Sequence, residues 1–206
     1  MIKYQQISKR ISDATRILDV GCGVGILGRH LDGKQCEVTG WDLKLTHIED
    51  YEEYYVSIVE RDVEKEGLGK VKYDAVVFSD VLEHLNDAGK VFRQSRDILN
   101  AEGKVILSLP NVAYFENRLR IFMGNWDYTD VGILDRTHIR FYTLKTARDL
   151  IADAGFTIVE MEPEIPIIHS AWKRNLFSFL SRKFPSLFAI GWVFEVEPIT
   201  TKTPIS

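Results

Sequence analysis

The residues best suited to chemistry begin at Ile17-Leu18-Asp19-Val20-Gly21-Cys22-Gly23-Val24-Gly25, where a buried-strand run feeds a glycine-rich turn and then a helical stretch of Ile26, Leu27 and Leu31. Glycines at Gly21, Gly23 and Gly25 permit positive φ and let backbone N–H groups approach a ligand with no Cβ in the way. The helix N-terminus behind them adds partial positive charge. Two spacings coexist. Gly23, Gly25 and Gly28 satisfy G-x-G-x-x-G, the spacing of a dinucleotide site. Counted from Gly21, where the strand must end, the pattern is G-x-G-x-G, and Ile26 stands where a third dinucleotide glycine would fall. Asp19 bears on the choice, because a carboxylate just before the loop repels a pyrophosphate but can hold loop amides or reach a ligand amine. A tight strand-to-helix turn with no ligand is the plain alternative.

The elements that must position this turn follow from the alternation of short β-branched apolar runs with longer segments of helical period, the pattern of parallel strands joined by crossover helices. The class is therefore α/β. Strands are expected at Arg16 to Val20, Cys36 to Trp41, Tyr55 to Glu60, Ala75 to Ser79, Lys104 to Leu109, Thr157 to Met161 and Gly191 to Val196. Leu144, Ala147, Leu150, Ile151 and Ala154 share one face of a helix that Thr143 can cap and Gly155 can end. A second helix is expected over Asp87 to Asn100. The rhythm breaks at about 110–142, an insert rich in aromatics, Asn, Gly and Arg; long inserts in compact domains are more often functional than accidental.

Composition narrows the classes further. The chain has 206 residues, 45% hydrophobic and 27% charged, which suits one domain over 1–206. A net charge of −4 lacks the basic surplus of a nucleic-acid surface, so no nucleic-acid partner is expected. Cys22 and Cys36 form no C-x-x-C pair and lie near no histidine cluster, which argues against structural zinc and a disulfide scaffold. The polar start Met-Ile-Lys-Tyr-Gln-Gln lacks a signal-peptide pattern, and no uncharged run approaches the roughly 18 residues needed to span a bilayer. A cytoplasmic location is expected.

The run Leu18-Asp19-Val20-Gly21-Cys22-Gly23-Val24-Gly25 resembles motif I of the class I S-adenosylmethionine-dependent methyltransferases, and the resemblance continues in register from Ile17 to Met161. It implies a Rossmann-like, mostly parallel seven-stranded sheet in the order 3-2-1-4-5-7-6 with the last strand antiparallel. S-adenosylmethionine is then the implied cofactor, held by Asp19, Gly21, Cys22, Gly23 and Gly25 of the loop and by Asp42 and Leu43 after the second strand. Asp42 would accept hydrogen bonds from the ribose hydroxyls. Asp62 and Val63 are similar to the family's adenine-binding position, and Ser79 ends the fourth strand beside the cofactor. Asp42 and Asp62 read equally well as turn or cap residues. Asp80-Val81-Leu82-Glu83-His84-Leu85 resembles the post-strand segment of quinone-type O-methyltransferases.

With the cofactor over the first three strands, the acceptor must approach over the fourth and fifth. Ser79 to Leu85 and the insert lie there. Ser108-Leu109-Pro110-Asn111, Asn117-Arg118-Leu119-Arg120 and His138 to Thr143 look like the MetW-like branch of these enzymes, although Val81-Leu82-Glu83-His84 departs from it. Methyl transfer depends mainly on positioning and needs no metal or covalent intermediate, but a hydroxyl acceptor benefits from a base. Histidine is the side chain whose unperturbed pKa suits that task. Of His30, His47, His84, His138 and His169, only His84 and His138 fall in the expected pocket segments; packing or local hydrogen bonding is the plain alternative for each. Asn111, Trp126 and Tyr142 are expected to shape the acceptor site, while Arg136 and Arg140 would grip an acidic group or else pair with Asp130 or Asp135.

No Asp/Asn-Pro-Pro-Tyr-like tetrapeptide follows the fourth strand, so oxygen of a small-molecule or sugar-type acceptor is the expected nucleophile. The aromatic and basic stretch at about 170–190 suits a helix over the sheet or pocket, with an interfacial helix serving a lipid-linked acceptor as the alternative. A non-catalytic MetW-like partner protein and an NAD-dependent oxidoreductase are the other functional readings.

Overall fold

A computed structural model of the chain describes residues 2–13, 15–45 and 51–199. His47 lies outside these residues. In chain order the elements are α1 (Ile2–Lys9), β1 (Arg16–Val20), α2 (Ile26–His30), β2 (Glu37–Asp42), β3 (Ser57–Glu60), α3 (Val63–Glu66), β4 (Tyr73–Ser79), α4 (Ala88–Gln94) and β5 (Leu99–Pro110). The chain continues through α5 (Phe115–Phe122), α6 (Leu144–Asp153), β6 (Phe156–Glu164), α7 (Ala171–Lys183), α8 (Pro185–Phe188) and β7 (Gly191–Pro198).

The strands form one sheet in the order β3-β2-β1-β4-β5-β7-β6, as expected from the sequence. β1 runs parallel to β2 and β4, β4 runs parallel to β5, and β7 enters antiparallel between β5 and β6. Central strands are apolar at consecutive positions because both faces are covered. Leu18, Val76 and Leu107 point into one hydrophobic cluster, while their neighbours Ile17, Val77 and Ile106 point into the other. The period-2 pleat divides the side chains between the two layers.

Thr143 caps α6 through a capping box with Thr146, and Gly155 follows the helix at φ +80°. The helix expected over Asp87 to Asn100 is shorter. α4 stops at Gln94, a 3₁₀ turn covers Ser95–Ile98, and Leu99 already pairs with Tyr73 in the sheet. The Ser95 hydroxyl donates to the Phe92 carbonyl at 2.6 Å, diverting an acceptor that would otherwise continue the helix.

Two further differences affect the site. The polar start of the chain is helix α1, anchored by buried Ile7 and by Arg10, whose guanidinium meets Glu160 at 3.0 Å and Glu162 at 3.2 Å. This anchoring places Lys3 at the carboxyl end of the sheet. α7 forms where a helix was expected and packs against α8 and strand β6. Its Phe177 packs against Phe115 and Phe188, leaving Trp172, Leu176 and Phe179 exposed. Among the described residues, no helix is long and apolar enough to cross a membrane.

Candidate active site

Two cavities open at the carboxyl ends of the parallel strands. The first, about 830 Å³, is lined by Gly21, Trp41, Asp42, Leu43, Arg61, Asp62 and Val63. Gly21 has φ +72°, and a Cβ there would stand 2.4 Å from the Val81 Cγ2 atom, so the turn fits only because the residue is glycine. The Gly23 amide donates to the Asp42 carboxylate at 2.8 Å, tying the loop to the end of β2. Asp62 caps α3, accepting from the amides of Glu64 at 3.1 Å and Lys65 at 3.2 Å. The Lys65 ammonium at 2.8 Å, together with those amides, holds its carboxyl below the ordinary value. Arg61 stacks 4.3 Å over the Trp41 ring and forms a wall of the cavity.

Asp19, Cys22, Gly23, Gly25 and Ser79 do not line this cavity. Asp19 lies behind the turn, where the Tyr55 hydroxyl donates to it at 2.7 Å. Burial raises its pKa from 3.8 to about 7, with that hydrogen bond opposing the shift. Cys22 sits in an apolar cluster, and burial pushes its thiol up to about 12, leaving it protonated and inert. Gly25 starts α2 at φ +74°, and Ser79 is buried at the end of β4.

The second cavity, about 390 Å³, is lined by Lys3, Asp80, Glu83, His84, Asp135, His138 and Glu164, among others. Asp80 and His84 line both cavities, so they form the wall between them. Asp80 adopts φ +54°, the one left-handed non-glycine among the described residues, at the turn where β4 ends. Its carboxylate pairs with Lys3 and accepts the Ser108 hydroxyl at 2.6 Å. Burial works against the Lys3 charge, but Asp80 and Glu164 outweigh it and raise the pKa. Burial pushes the Glu164 carboxyl up to about 8.

His84 and His138 do come together, with ring centroids 4.8 Å apart. His84 Nδ1 lies 3.2 Å from the Thr137 carbonyl and His138 Nδ1 3.0 Å from the Ile133 carbonyl. A carbonyl only accepts, so each Nδ1 carries a proton, and in a neutral ring the lone pair is on Nε2. Burial lowers the His138 pKa, which keeps the ring neutral. Beneath them Glu83 is completely buried, and neither carboxylate oxygen has a hydrogen-bond partner among the described residues. Burial pushes its carboxyl well above the ordinary value.

The expected acceptor residues are placed differently. Asn111 is fully buried and saturated: its amide donates to the Ala189 carbonyl at 2.8 Å, and its oxygen accepts the Ala113 amide at 3.0 Å. It clamps the insert to the end of α8. Tyr142 belongs to the main hydrophobic cluster, and Trp126 packs against Tyr128 and Phe141 outside both cavities. Arg136 pairs with Asp130 at 2.6 Å on the surface. Arg140 donates to the Leu85 and Asn86 carbonyls, making it a strut for the segment after β4. Sequence reasoning missed Lys3, Arg61, Asp80, Glu83 and Glu164. Asp80 and Glu83 stood inside the segment singled out for the acceptor side, whereas Lys3 and Glu164 reach the site only through tertiary packing.

A parallel sheet with a reversed strand beside β5, a glycine turn after β1 and acidic residues at the end of β2 and after β3 define a class I S-adenosylmethionine-dependent methyltransferase fold. The model of a methyltransferase domain family matches residues 3–161, and the chain belongs to that family. It is 32% identical over 121 residues to the ubiquinone biosynthesis O-methyltransferase of Xanthomonas axonopodis pv. citri, an alignment covering 53% of this chain and 49% of that protein. The Marinobacter nauticus protein of the same name is 32% identical over 124 residues, covering 53% and 50%. The chain thus spans about half the length of the curated relatives it matches.

Among solved structures, the Burkholderia thailandensis 1,6-didemethyltoxoflavin-N1-methyltransferase with bound 1,6-didemethyltoxoflavin and S-adenosylhomocysteine superposes with a TM-score of 0.64. It is 15% identical, covering 95% of this chain and 76% of that one. The Synechocystis magnesium protoporphyrin IX methyltransferase with bound S-adenosylhomocysteine gives 0.61 at 18% identity, covering 95% and 83%. At these identities the likeness concerns the fold.

Asp19 provides a stability test. A carboxyl that holds its proton more tightly folded than unfolded contributes least cost below its unfolded pKa, and the cost grows as pH rises from about 4 to about 7. Asp19→Asn can still accept the Tyr55 hydroxyl without a charge. Denaturant titrations should show its stability relative to wild type improving between pH 4 and pH 8; a difference independent of pH contradicts the assignment.

Proposed function

We propose that the protein transfers a methyl group from S-adenosylmethionine to an oxygen of a small-molecule acceptor. The single observation that carries the reading is the wall shared by two cavities, Asp80 and His84, which sets a ligand site over β1 to β3 directly against a second site over β4 and β5. The residues of the first cavity fit the cofactor. Its volume suits a ligand of that size, Gly21 leaves backbone exposed where a Cβ could not fit, and each Asp42 oxygen accepts one amide and keeps a further lone pair for a ribose hydroxyl. Asp62 and Val63 line the same cavity, which supports assigning them to the adenine. When bound, S-adenosylmethionine supplies a methyl group activated by its sulfonium.

The chain's own residues then position and deprotonate the acceptor. His84 and His138 both line the second cavity, and Nε2 of a neutral ring there can take up a hydroxyl proton as the O–C bond forms. Lys3 offers a charge to an anionic group on the acceptor. The relatives named for ubiquinone O-methylation support oxygen as the nucleophile.

The other readings are less well supported. Dinucleotide dehydrogenase sheets run in the order 3-2-1-4-5-6, without the reversed β7 found here. A non-catalytic partner protein has no need of a second cavity beside the first, and the cavity at Asp80 and His84 therefore supports the enzyme reading. We also infer contact with an anionic lipid surface, supported by the exposed Trp172, Leu176 and Phe179 of α7 beside Lys173, Arg174, Arg182 and Lys183.

Titration calorimetry should show binding of S-adenosylhomocysteine and none of NAD; NAD binding alone refutes the reading. With an acceptor identified by mass spectrometry of a metabolite extract and labelled cofactor, His138→Ala should lower turnover by about 10²- to 10⁴-fold with S-adenosylhomocysteine affinity nearly unchanged. Full turnover by both His84→Ala and His138→Ala contradicts the histidine assignment, and a methylated nitrogen or sulfur contradicts the oxygen. Vesicle sedimentation should capture the protein on anionic lipid and lose it with Trp172→Ala/Phe179→Ala; equal capture on zwitterionic lipid contradicts the charge argument.

A further inference from the structure

We propose that the acceptor is a glycoside or oligosaccharide, and that a third cavity beside the acceptor site holds the sugar unit next to the one methylated. Methylation of the neighbouring unit rests on the methyl-transfer reading; the sugar site itself does not.

The third cavity, about 280 Å³, is lined by Tyr114, Glu116, Asn117, Arg120, Ile133 and Ile190, among others. It lies where the insert doubles back, the Thr129 amide donating to the Leu134 carbonyl at 2.9 Å. Ile133 and Ile190 also line the second cavity, so the two cavities share a wall. Sites for whole drug-sized ligands run from about 300 to 1,000 Å³, so a cavity of this size takes one part of a molecule. A ligand filling both must be built of two joined units. The wall between them is held from both sides. The Ile190 carbonyl accepts the Asn111 amide at 2.8 Å, and the Ile190 amide donates to the Glu164 carbonyl at 3.0 Å. The Ile133 carbonyl accepts from His138 Nδ1 at 3.0 Å, so the residue that separates the two units also orients a candidate base.

The run Asn117-Arg118-Leu119-Arg120 supplies much of the lining. Arg120 follows Asn117 by three residues and Glu116 by four, which puts all three toward one side of α5. Arg118 turns away and donates to the Ala113 carbonyl at 2.6 Å. Among the described residues, the side chains of Glu116 and Arg120 form no ion pair or hydrogen bond. Asn117 is buried, and its amide donates to the Val112 carbonyl at 3.2 Å while its oxygen is left without a partner. The Tyr114 hydroxyl has no hydrogen-bond partner either. Burial, with the Glu116 charge adding to it, pushes that hydroxyl up to about 12, so it stays a donor.

This mixture selects the class of ligand. Tyr114 and Arg120 donate, the Asn117 oxygen and the Glu116 carboxylate accept, and Ile133, Leu134 and Pro166 add apolar surface. A sugar ring matches all three, with hydroxyls that donate and accept around its edge and C–H groups on its faces. A carboxylate or phosphate would face the Glu116 charge, and an ammonium would face Arg120. Hydrocarbon would leave the polar groups unpaired. The Arg120 fork can also hold two adjacent hydroxyl oxygens at once. The sugar in this cavity takes no part in the transfer; it places its neighbour.

The test is retention of the full chain, with S-adenosylhomocysteine bound, on an array of immobilised oligosaccharides of defined sequence. Wild type should be retained by a subset of them. Arg120→Ala and Tyr114→Phe should each lower that retention at least about tenfold, while Lys90→Ala on α4 leaves it unchanged. Circular dichroism and S-adenosylhomocysteine binding report whether each variant is folded, and Glu116→Gln replaces any variant that is not. With a retained oligosaccharide as acceptor and labelled S-adenosylmethionine, the same substitutions should raise KM about tenfold with kcat nearly unchanged. The same acceptor trimmed of the neighbouring sugar should no longer respond to them. Retention by no oligosaccharide, or retention unaffected by these substitutions in folded protein, overturns the proposal. Retention that Arg120→Ala abolishes, with no methyl transferred to any retained oligosaccharide, leaves the sugar site standing and removes the methyl-transfer reading.

Discussion

The Tyr55 hydroxyl donates to the buried Asp19 carboxylate at 2.7 Å and accepts the Gly28 amide at 3.2 Å, linking the segment before β3, the end of β1 and the first turns of α2 at one atom. Everything at the cofactor end of the sheet is built around that bridge. Gly28 admits no larger residue, because a Cβ would come within 2.4 Å of the Tyr55 ring. Fixing α2 in this way fixes the glycine turn between β1 and α2. The turn in turn places the Gly23 amide on Asp42 and opens the first cavity above it. Asp19 thus acts beneath the ligand site, and its raised pKa is a cost of that burial.

The acceptor side is organised by a second constraint, the left-handed turn at Asp80. Aspartate tolerates this conformation better than most residues, and the Ser108 hydroxyl secures it by accepting the Asp80 amide at 3.0 Å and donating to its carboxylate. The turn directs the chain from β4 into the segment carrying Glu83 and His84, while Lys3 from α1 neutralises the Asp80 charge. The insert approaches from the other side. Its backbone fastens to Glu83, and Arg140 fastens to Leu85 and Asn86, so His138 arrives against His84. Local turn chemistry, rather than the aromatic residues, joins the two cavities.

Much of the fold was legible because the pleat and the crossover helices leave strong periodic signals: all seven strands, the Thr143 cap and the Gly155 stop stand close to where the sequence places them. The glycine turn, Asp42, Asp62 and Val63 were legible for the same reason, being fixed by distance from strand ends. On the acceptor side His84 and His138, and the alternative pairing of Arg136 with Asp130, were legible, but the roles expected of the other residues were not. Asn111, Arg140 and Tyr142 have the right chemistry, but hydrogen bonds and packing that arise only in the folded insert occupy them. Lys3 was hidden in a segment with few apolar residues, whose helix depends on Ile7 and on Arg10 meeting acids of the distant β6. Composition also obscured α7, since an aromatic and basic helix reads alike whether it covers a core or faces solvent.

The central claim is that the two cavities are a methyl-donor site and a methyl-acceptor site meeting at Asp80 and His84. A crystal structure with S-adenosylhomocysteine tests it most directly. The account predicts the adenine against Asp62 and Val63, the ribose on Asp42, and the sulfur turned toward the Asp80–His84 wall with a clear path into the second cavity. A ligand bound elsewhere, or a sulfur facing away from that wall, would contradict it.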